Sequence, residues 1–224
     1  MCFTIDEDGI HLKSLTTINQ MIEVDLHASN FDEYRFEFDE PLHVGIESYI
    51  SKSFKIMKNK NIVTLYITKL GELIIGVKST SKGAFSYDLS VITEIVQNVS
   101  SPPLYTYSDD SATAISTSLF SDMCKLIKSN AFCHEFTVTK EHGTAKFSCS
   151  TPDLVTERFT FGQEDVLNSM LVHNCYKSDQ LFRITKIVSF SQDSSKIVNV
   201  YIEKDKPLLI TSKSELGIIK TYFL

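Results

Sequence analysis

The chain has 224 residues, enough for one large β-rich domain or two of ordinary size, and 42% hydrophobic residues supply real cores. No apolar run is long or pure enough to span a bilayer, and the acidic, strand-like start MCFTIDEDGI is neither a signal nor a transit peptide, so a soluble intracellular protein is expected. A formal net charge of −6 argues against a nucleic-acid partner only where the two signs are evenly mixed, because a basic surface needs no more than a local excess.

Taken in chain order, the apolar pattern mostly has the period of two of half-buried antiparallel strands. FEFDEPLHVGI predicts a strand over 36–46. ESYISKSFKIMK, 47–58, switches to helical spacing, with Ile50, Phe54 and Met57 on one face and Lys52, Lys55 and Lys58 roughly opposite. IVTLYITKLGELIIGVKS, 62–79, reads as a hairpin, and FSYDLSVI, 85–92, as a further strand. VQNVSSPPLYTYSDDSA, 96–112, is rich in Ser, Pro and Asp without sustained periodicity, as a crossover between two halves would be. A second helix is expected over 118–129, carrying Lys125 and Lys128, and HEFTVT, AKFSCS and ERFTFG then alternate as strands. A strand over 166–176 leads to a third helix, 178–190, with Arg183 and Lys186, and to a hairpin, IVNVYIEKDKPLLITSKS, at 197–214.

The two hairpins agree without gaps at nine of eighteen positions, 135 residues apart, and each follows a strand and a helix in the same order. The chain therefore reads as a duplication: an N-terminal α+β domain over 1–95, a connector over 96–112 and a C-terminal domain over 113–224.

The five cysteines are scattered and form no C-x-x-C pair, so reduced, mostly buried thiols are expected rather than a zinc site or a disulfide framework. The Asn98-Val99-Ser100 sequon carries no meaning without a secretory route. The six histidines show no ligand spacing, and there is no phosphate-cradling glycine loop, nucleophile elbow or metal motif. Neither an enzyme nor a cofactor is expected.

Charge is segregated. The three predicted helices have few acids, Glu47, Asp122 and Asp179, set toward their N-termini where the helix dipole favours them. A lysine-bearing helix face is usually a solvated one, but three selectively basic helices in an acidic chain suggest a positive surface within a negative body. Such a surface suits a phosphate backbone contacted without base reading.

Two stretches carry a family resemblance. GIHLKSLTTINQMIEVDLHASNFDEYRFEFDEPLHVGIESYISKSFKIMKNKNIVTL, with the F-x-x-Y-R turn at Phe31, Tyr34 and Arg35, and KPLLITSKSELGIIKTYFL, with Pro207, Leu208, Gly217, Lys220 and Tyr222, resemble the start and end of proliferating cell nuclear antigen, the sliding clamp. The resemblance implies an α+β DNA-clamp fold: two topologically similar domains of antiparallel sheet with short helices on the inner face, three chains closing into a ring around double-stranded DNA. It places Lys52, Lys55, Lys125 and Arg183 at DNA-facing positions, to which the helix-face pattern adds Lys58, Lys128 and Lys186. It implies a pocket for partner peptides at Leu15, Ile22, Val99, Leu104, Tyr105, Pro207 and Tyr222, with Asn19 where the family has a histidine. Ring closure by edge strands would involve Tyr87, Leu89, Arg158, Phe159 and Phe161.

The implied partners are a DNA polymerase and other clamp-binding peptides in replication and repair, a clamp loader and two further copies in a homotrimer, without a membrane, in a nucleus or a viral replication compartment. The match begins at the family's second strand, so the first strand and first helix have no counterpart here, and the family's acidic tail is also missing. The Lys, Ile, Asn and Ser content suits a large DNA virus. Rival expectations are a hetero-oligomeric checkpoint-type clamp or monomeric clamp-like accessory protein, or a β-rich structural protein such as a viral coat component.

Overall fold

The structure, a computed structural model, describes residues 2–15, 19–46, 61–68, 72–79, 86–91, 93–95, 104–129, 133–150, 156–165, 171–191 and 196–224. The first half holds β1 (Cys2–Asp6), β2 (Gly9–Leu15), β3 (Gln20–His27), β4 (Leu42–Ile46), β5 (Asn61–Ile67), β6 (Leu73–Ser79), β7 (Ser86–Val91) and β8 (Thr93–Ile95). The second holds β9 (Ala112–Ser116), α1 (Thr117–Ser129), β10 (Glu135–Glu141), β11 (Thr144–Ser150), β12 (Thr156–Phe161), β13 (Val172–Lys177), α2 (Ser178–Arg183), β14 (Ile197–Tyr201), β15 (Leu208–Lys213) and β16 (Gly217–Phe223). The strands form sheets of order β8-β4-β1-β2-β3-β16-β15-β14-β9, β12-β11-β10-β13 and β5-β6-β7. All their pairings are antiparallel.

One order is written twice. β4-β1-β2-β3 recurs as β13-β10-β11-β12, and β5-β6-β7 as β14-β15-β16, the latter with β9 added beside β14. The registers repeat too. Asp6↔Gly9 becomes Glu141↔Thr144, Leu15↔Met21 becomes Ser150↔Thr156, and Val63↔Val77 becomes Val198↔Ser212, each pair shifted by 135 positions (6 to 141, 63 to 198). The halves are joined by β3 and β16, paired from Gly217↔Leu26 to Phe223↔Gln20. A side chain on Gly217 would collide with the Asp25 carbonyl, so the close approach at this junction requires glycine.

Among the described residues the largest core lies in the second half. Phe120, Met123, Cys124 and Ile127 of α1, at the i, i+3, i+4, i+7 spacing of one helix face, share it with Leu181 of α2 and with Phe136, Val138, Phe147, Val198, Val200, Ile210 and Phe223 of the strands. Burial pushes the Cys124 thiol up to about 12, which makes it an inert packing group.

Several expectations need correction. The strand expected over 36–46 is confined to Leu42–Ile46, with bends at 39 and 40, and Pro41, which has no N–H for a ladder, stands just before it. The helix expected over 178–190 is α-helical only to Arg183 and continues as a 3-10 helix, Ile184–Ser189. Helix α1 matches the expected 118–129 closely, whereas the helix expected over 47–58 lies outside the described residues.

Cys133 and Cys149 form a disulfide with Cα atoms 6.0 Å apart. The pairing is hidden in the sequence because it depends on the β10–β11 register, which sets Cys149 opposite Phe136 and so near Cys133. Of the remaining thiols only Cys124 is buried; Cys2 is half-buried and Cys175 exposed. No described helix is long and apolar enough to cross a membrane.

Candidate functional site

The face of the long sheet that carries Tyr222 is organised in rows perpendicular to the strands. Register places Leu15, Met21, Tyr222, Leu209 and Tyr201 side by side across β2, β3, β16, β15 and β14. Residues 104–108, within the described part of the connector (104–112), lie over this apolar row. Tyr105 packs in a tilted arrangement against Tyr222 at 6.0 Å between ring centroids, and Tyr107 contacts Tyr222 at 6.3 Å and Tyr201 at 5.8 Å. At the margins Leu15 is 62% and Leu104 80% exposed, a cost in water that a bound apolar partner would remove.

The neighbouring rows are ionic. Lys13, Glu23 and Lys220 stand in line, with Glu23 Oε1 at 3.4 Å from Lys13 Nζ and 3.5 Å from Lys220 Nζ. Next comes His11, 3.0 Å from Asp25 and 3.3 Å from Asp6. Tyr222 bridges the two zones, its hydroxyl donating to Glu23 at 3.0 Å. Burial first, and then the Glu23 carboxylate, raise the Tyr222 pKa, so it stays a neutral donor. The result is an apolar shelf with a charged border.

Of the residues expected to form a peptide pocket, Leu15, Leu104, Tyr105, Pro207 and Tyr222 belong to this surface or its edge. Pro207 accepts a hydrogen bond from the Tyr107 hydroxyl at 2.7 Å. Tyr222 is buried under the connector tyrosines and serves as floor rather than wall. Ile22 is elsewhere: it pairs with Thr221, so its side chain projects to the opposite face of the sheet. Val99 lies outside the described residues. Asn19 has φ 54, a left-handed conformation asparagine tolerates well, and its carbonyl accepts from Leu224 N and Gln180 Nε2.

Met21, Leu209, Tyr107 and Tyr201 were missed because only register reveals which strand residues share a face. Glu203 was missed too. Its carboxylate accepts from Ser108 N at 2.8 Å, Ser111 Oγ at 2.7 Å and Lys206 Nζ, while Lys206 also reaches the Thr106 carbonyl and lies over the Tyr107 ring. Burial would raise the Glu203 pKa, but the Lys206, Ser111 and Ser108 hydrogen bonds outweigh it and lower it. Glu203 thus fastens the connector to the turn before β15.

The basic residues are less fully placed. Lys125 and Lys128 are exposed on α1, away from its buried stripe; Lys125 Nζ is 3.1 Å from Asp122, and Leu119 and Leu126 share the open side. Arg183 ends α2 and Lys186 follows in the 3-10 helix, which with α2 packs against α1. Lys52, Lys55 and Lys58 lie outside the described residues.

For the expected edge strands, β7 ends the three-stranded sheet and β12 the four-stranded one. Arg158 is exposed, whereas Phe159 and Phe161 turn inward onto their own core, Phe161 meeting Phe147 edge-on at 6.0 Å. Tyr87 and Leu89 occupy register positions on β7 opposite Val77 and Ile75.

Twofold repetition of one antiparallel sheet order, a sheet continuous through the junction and short helices make this an α+β fold of the DNA-clamp class. Residues 1–98 match the family model for the proliferating cell nuclear antigen N-terminal domain. The chain is also similar to uncharacterized protein 436R of Invertebrate iridescent virus 6, with 24% identity over 226 residues, covering 92% of this chain and 73% of that protein.

Proposed function

We propose that the chain is a sliding-clamp subunit and DNA polymerase processivity factor: copies close into a ring, a trimer on the family resemblance, that surrounds double-stranded DNA. The observation that carries this is the junction. Within the chain, the last strand of one half-sheet, β3, pairs with the last strand of another, β16; their counterparts, β12 and β7, have no partner on the outer side among the described residues. Exposed strand edges invite a further chain, and here they are the two edges that would repeat the junction head to tail.

The reading needs no catalysis. A polymerase held by a closed ring remains at high local concentration because its link to DNA is topological. Lys52, Lys55, Lys58, Lys125, Lys128, Arg183 and Lys186 supply weak, sequence-independent contacts that permit sliding. The shelf of Leu15, Met21 and Leu104 with its charged border takes peptides of the polymerase and other replication or repair proteins, and a loader opens the ring. The domains divide at the connector, 96–112. The protein works where its DNA is copied, in a nucleus or a viral replication compartment.

Retention on DNA tests the reading. The protein loaded on nicked circular DNA stays bound through gel filtration and leaves when the circle is linearised. Equal release from both forms overturns the clamp reading and favours a β-rich interaction protein without topological DNA binding.

A further inference from the structure

The in-chain junction specifies more than which strands meet; it specifies the register and a charge pair. Through the β2–β3 and β11–β12 registers, Met21 of β3 corresponds to Thr156 of β12, and Glu23 to Arg158. Through the β15–β16 and β6–β7 registers, Lys220, opposite Thr211, corresponds to Asp88, opposite Gly76. The chain pairs Glu23 with Lys220. We propose that β12 of one copy pairs antiparallel with β7 of a second copy in the matching register, Thr156↔Ser90, Arg158↔Asp88 and Thr160↔Ser86, with an Arg158–Asp88 ion pair at its centre. This rests on the ring reading above and fixes the geometry of its subunit contact.

Several features support that register. The in-chain pair has its acid on β3 and its base on β16, Glu23 Oε1 lying 3.5 Å from Lys220 Nζ. The proposed pair has the base on the β3-like strand and the acid on the β16-like one. The signs are exchanged and complementarity is kept. A one-residue slip would move Arg158 to the opposite face from Asp88 and lose the pair. Both side chains are exposed, and neither has an ion-pair partner among the described residues. Asp88 also has room. A Cβ on Gly76 would stand 3.1 Å from Asp88 Oδ1, so glycine there leaves the carboxylate space over the sheet.

The exchange makes the contact selective. β12 cannot join β16 with the same charge logic, because Arg158 would face Lys220, nor can β7 join β3, where Asp88 would face Glu23. Opposite charges across an interface set partner and register as much as affinity. The two junction types therefore cannot interchange.

Charge exchange in the full chain tests this. Light scattering is expected to give three 25.3 kDa chains for the wild type. Arg158→Asp and Asp88→Arg alone each weaken assembly about tenfold or more, and the double variant restores it, because the swapped pair again has opposite signs. As a check independent of charge, Ser90→Cys with Thr156→Cys yields an oxidised, covalently closed oligomer on a denaturing gel, and Ser90→Cys with Gln163→Cys does not. If the wild type assembles but the single variants match it, the double variant does not recover, or crosslinking favours the distant pair, the proposed register is wrong while the ring survives. A wild type of one chain at every concentration overturns the ring itself.

Discussion

The same hairpin occurs in two surroundings. In the second half, β14 runs between β9 and β15, and Val198 and Val200 have no exposed surface. In the first half, β5 pairs with β6 alone among the described strands, and the equivalent Val63 and Leu65 are each 45% exposed. Their half-identical sequences and matching registers show that local pattern sets the hairpin, while its neighbours set what the hairpin is worth. β14 contributes to the main core; β5 forms a sheet margin.

The largest effect that sharpens this contrast comes from truncation at equivalent sites. Val200→Ala removes fully buried methyl groups and leaves a void, and is expected to cost about 2–3 kcal/mol in urea denaturation, whereas Leu65→Ala costs under about 1 kcal/mol. Equal losses at the two sites would show that β5 is as well covered in solution as β14. Amide exchange should follow the same ranking, with β14 protected on both edges and the outward amides of β5 exchanging freely.

A smaller effect concerns the attachment of the connector. Glu203→Ala leaves Ser108 N, Ser111 Oγ and Lys206 without their shared acceptor and is expected to cost about 1–2 kcal/mol, with faster proteolytic cutting within 104–111. The equivalent position of the first half, Thr68, bears no carboxylate, and its hydroxyl accepts the local Glu72 N–H at 3.2 Å. Unchanged cutting in the variant would mean that the tyrosine stack holds the connector without Glu203.

Much of this architecture was legible in the sequence because repetition is visible one residue at a time. Ile62 and Ile197, or Tyr66 and Tyr201, announce the doubled hairpin, and the helical spacing of Phe120, Met123, Cys124 and Ile127 marks α1. What stayed hidden depends on pairing. Ile22 looks as suited to a pocket as Met21 until register sends it to the other face. Cys133 and Cys149 look unrelated until the β10–β11 hairpin brings them together. Phe159 and Phe161 read as interface residues because alternation alone does not say which face is core. The 3-10 continuation of α2 has the same origin, since an i, i+3 spacing fits either helix type.

The smallest expected effect lies in the ionic rows, and it distinguishes equivalent positions of the two halves. His11 sits between Asp6 of β1 and Asp25 of β3, and Asp25 is also 3.4 Å from Lys220 of β16. Burial lowers the His11 pKa, but the hydrogen bond the imidazole donates to Asp25 and the charge of Asp6 outweigh it, and the net direction is upward. A histidine raised on folding stabilises the native state fully below its unfolded value, about 6.5, and loses that contribution as pH rises through the folded value. The stability difference between wild type and His11→Asn should therefore shrink between pH 6 and pH 8. The corresponding site in the second half is Lys146, whose ammonium lies 2.6 Å from Glu141 and, by hydrogen bond and charge, holds that carboxylate below its usual range. Lys146→Met should accordingly give a difference that is flat over the same range. A flat profile for His11→Asn as well would mean that the imidazole is neutral in the folded protein and that Asp6 and Asp25 are held apart by Lys220 and solvent instead.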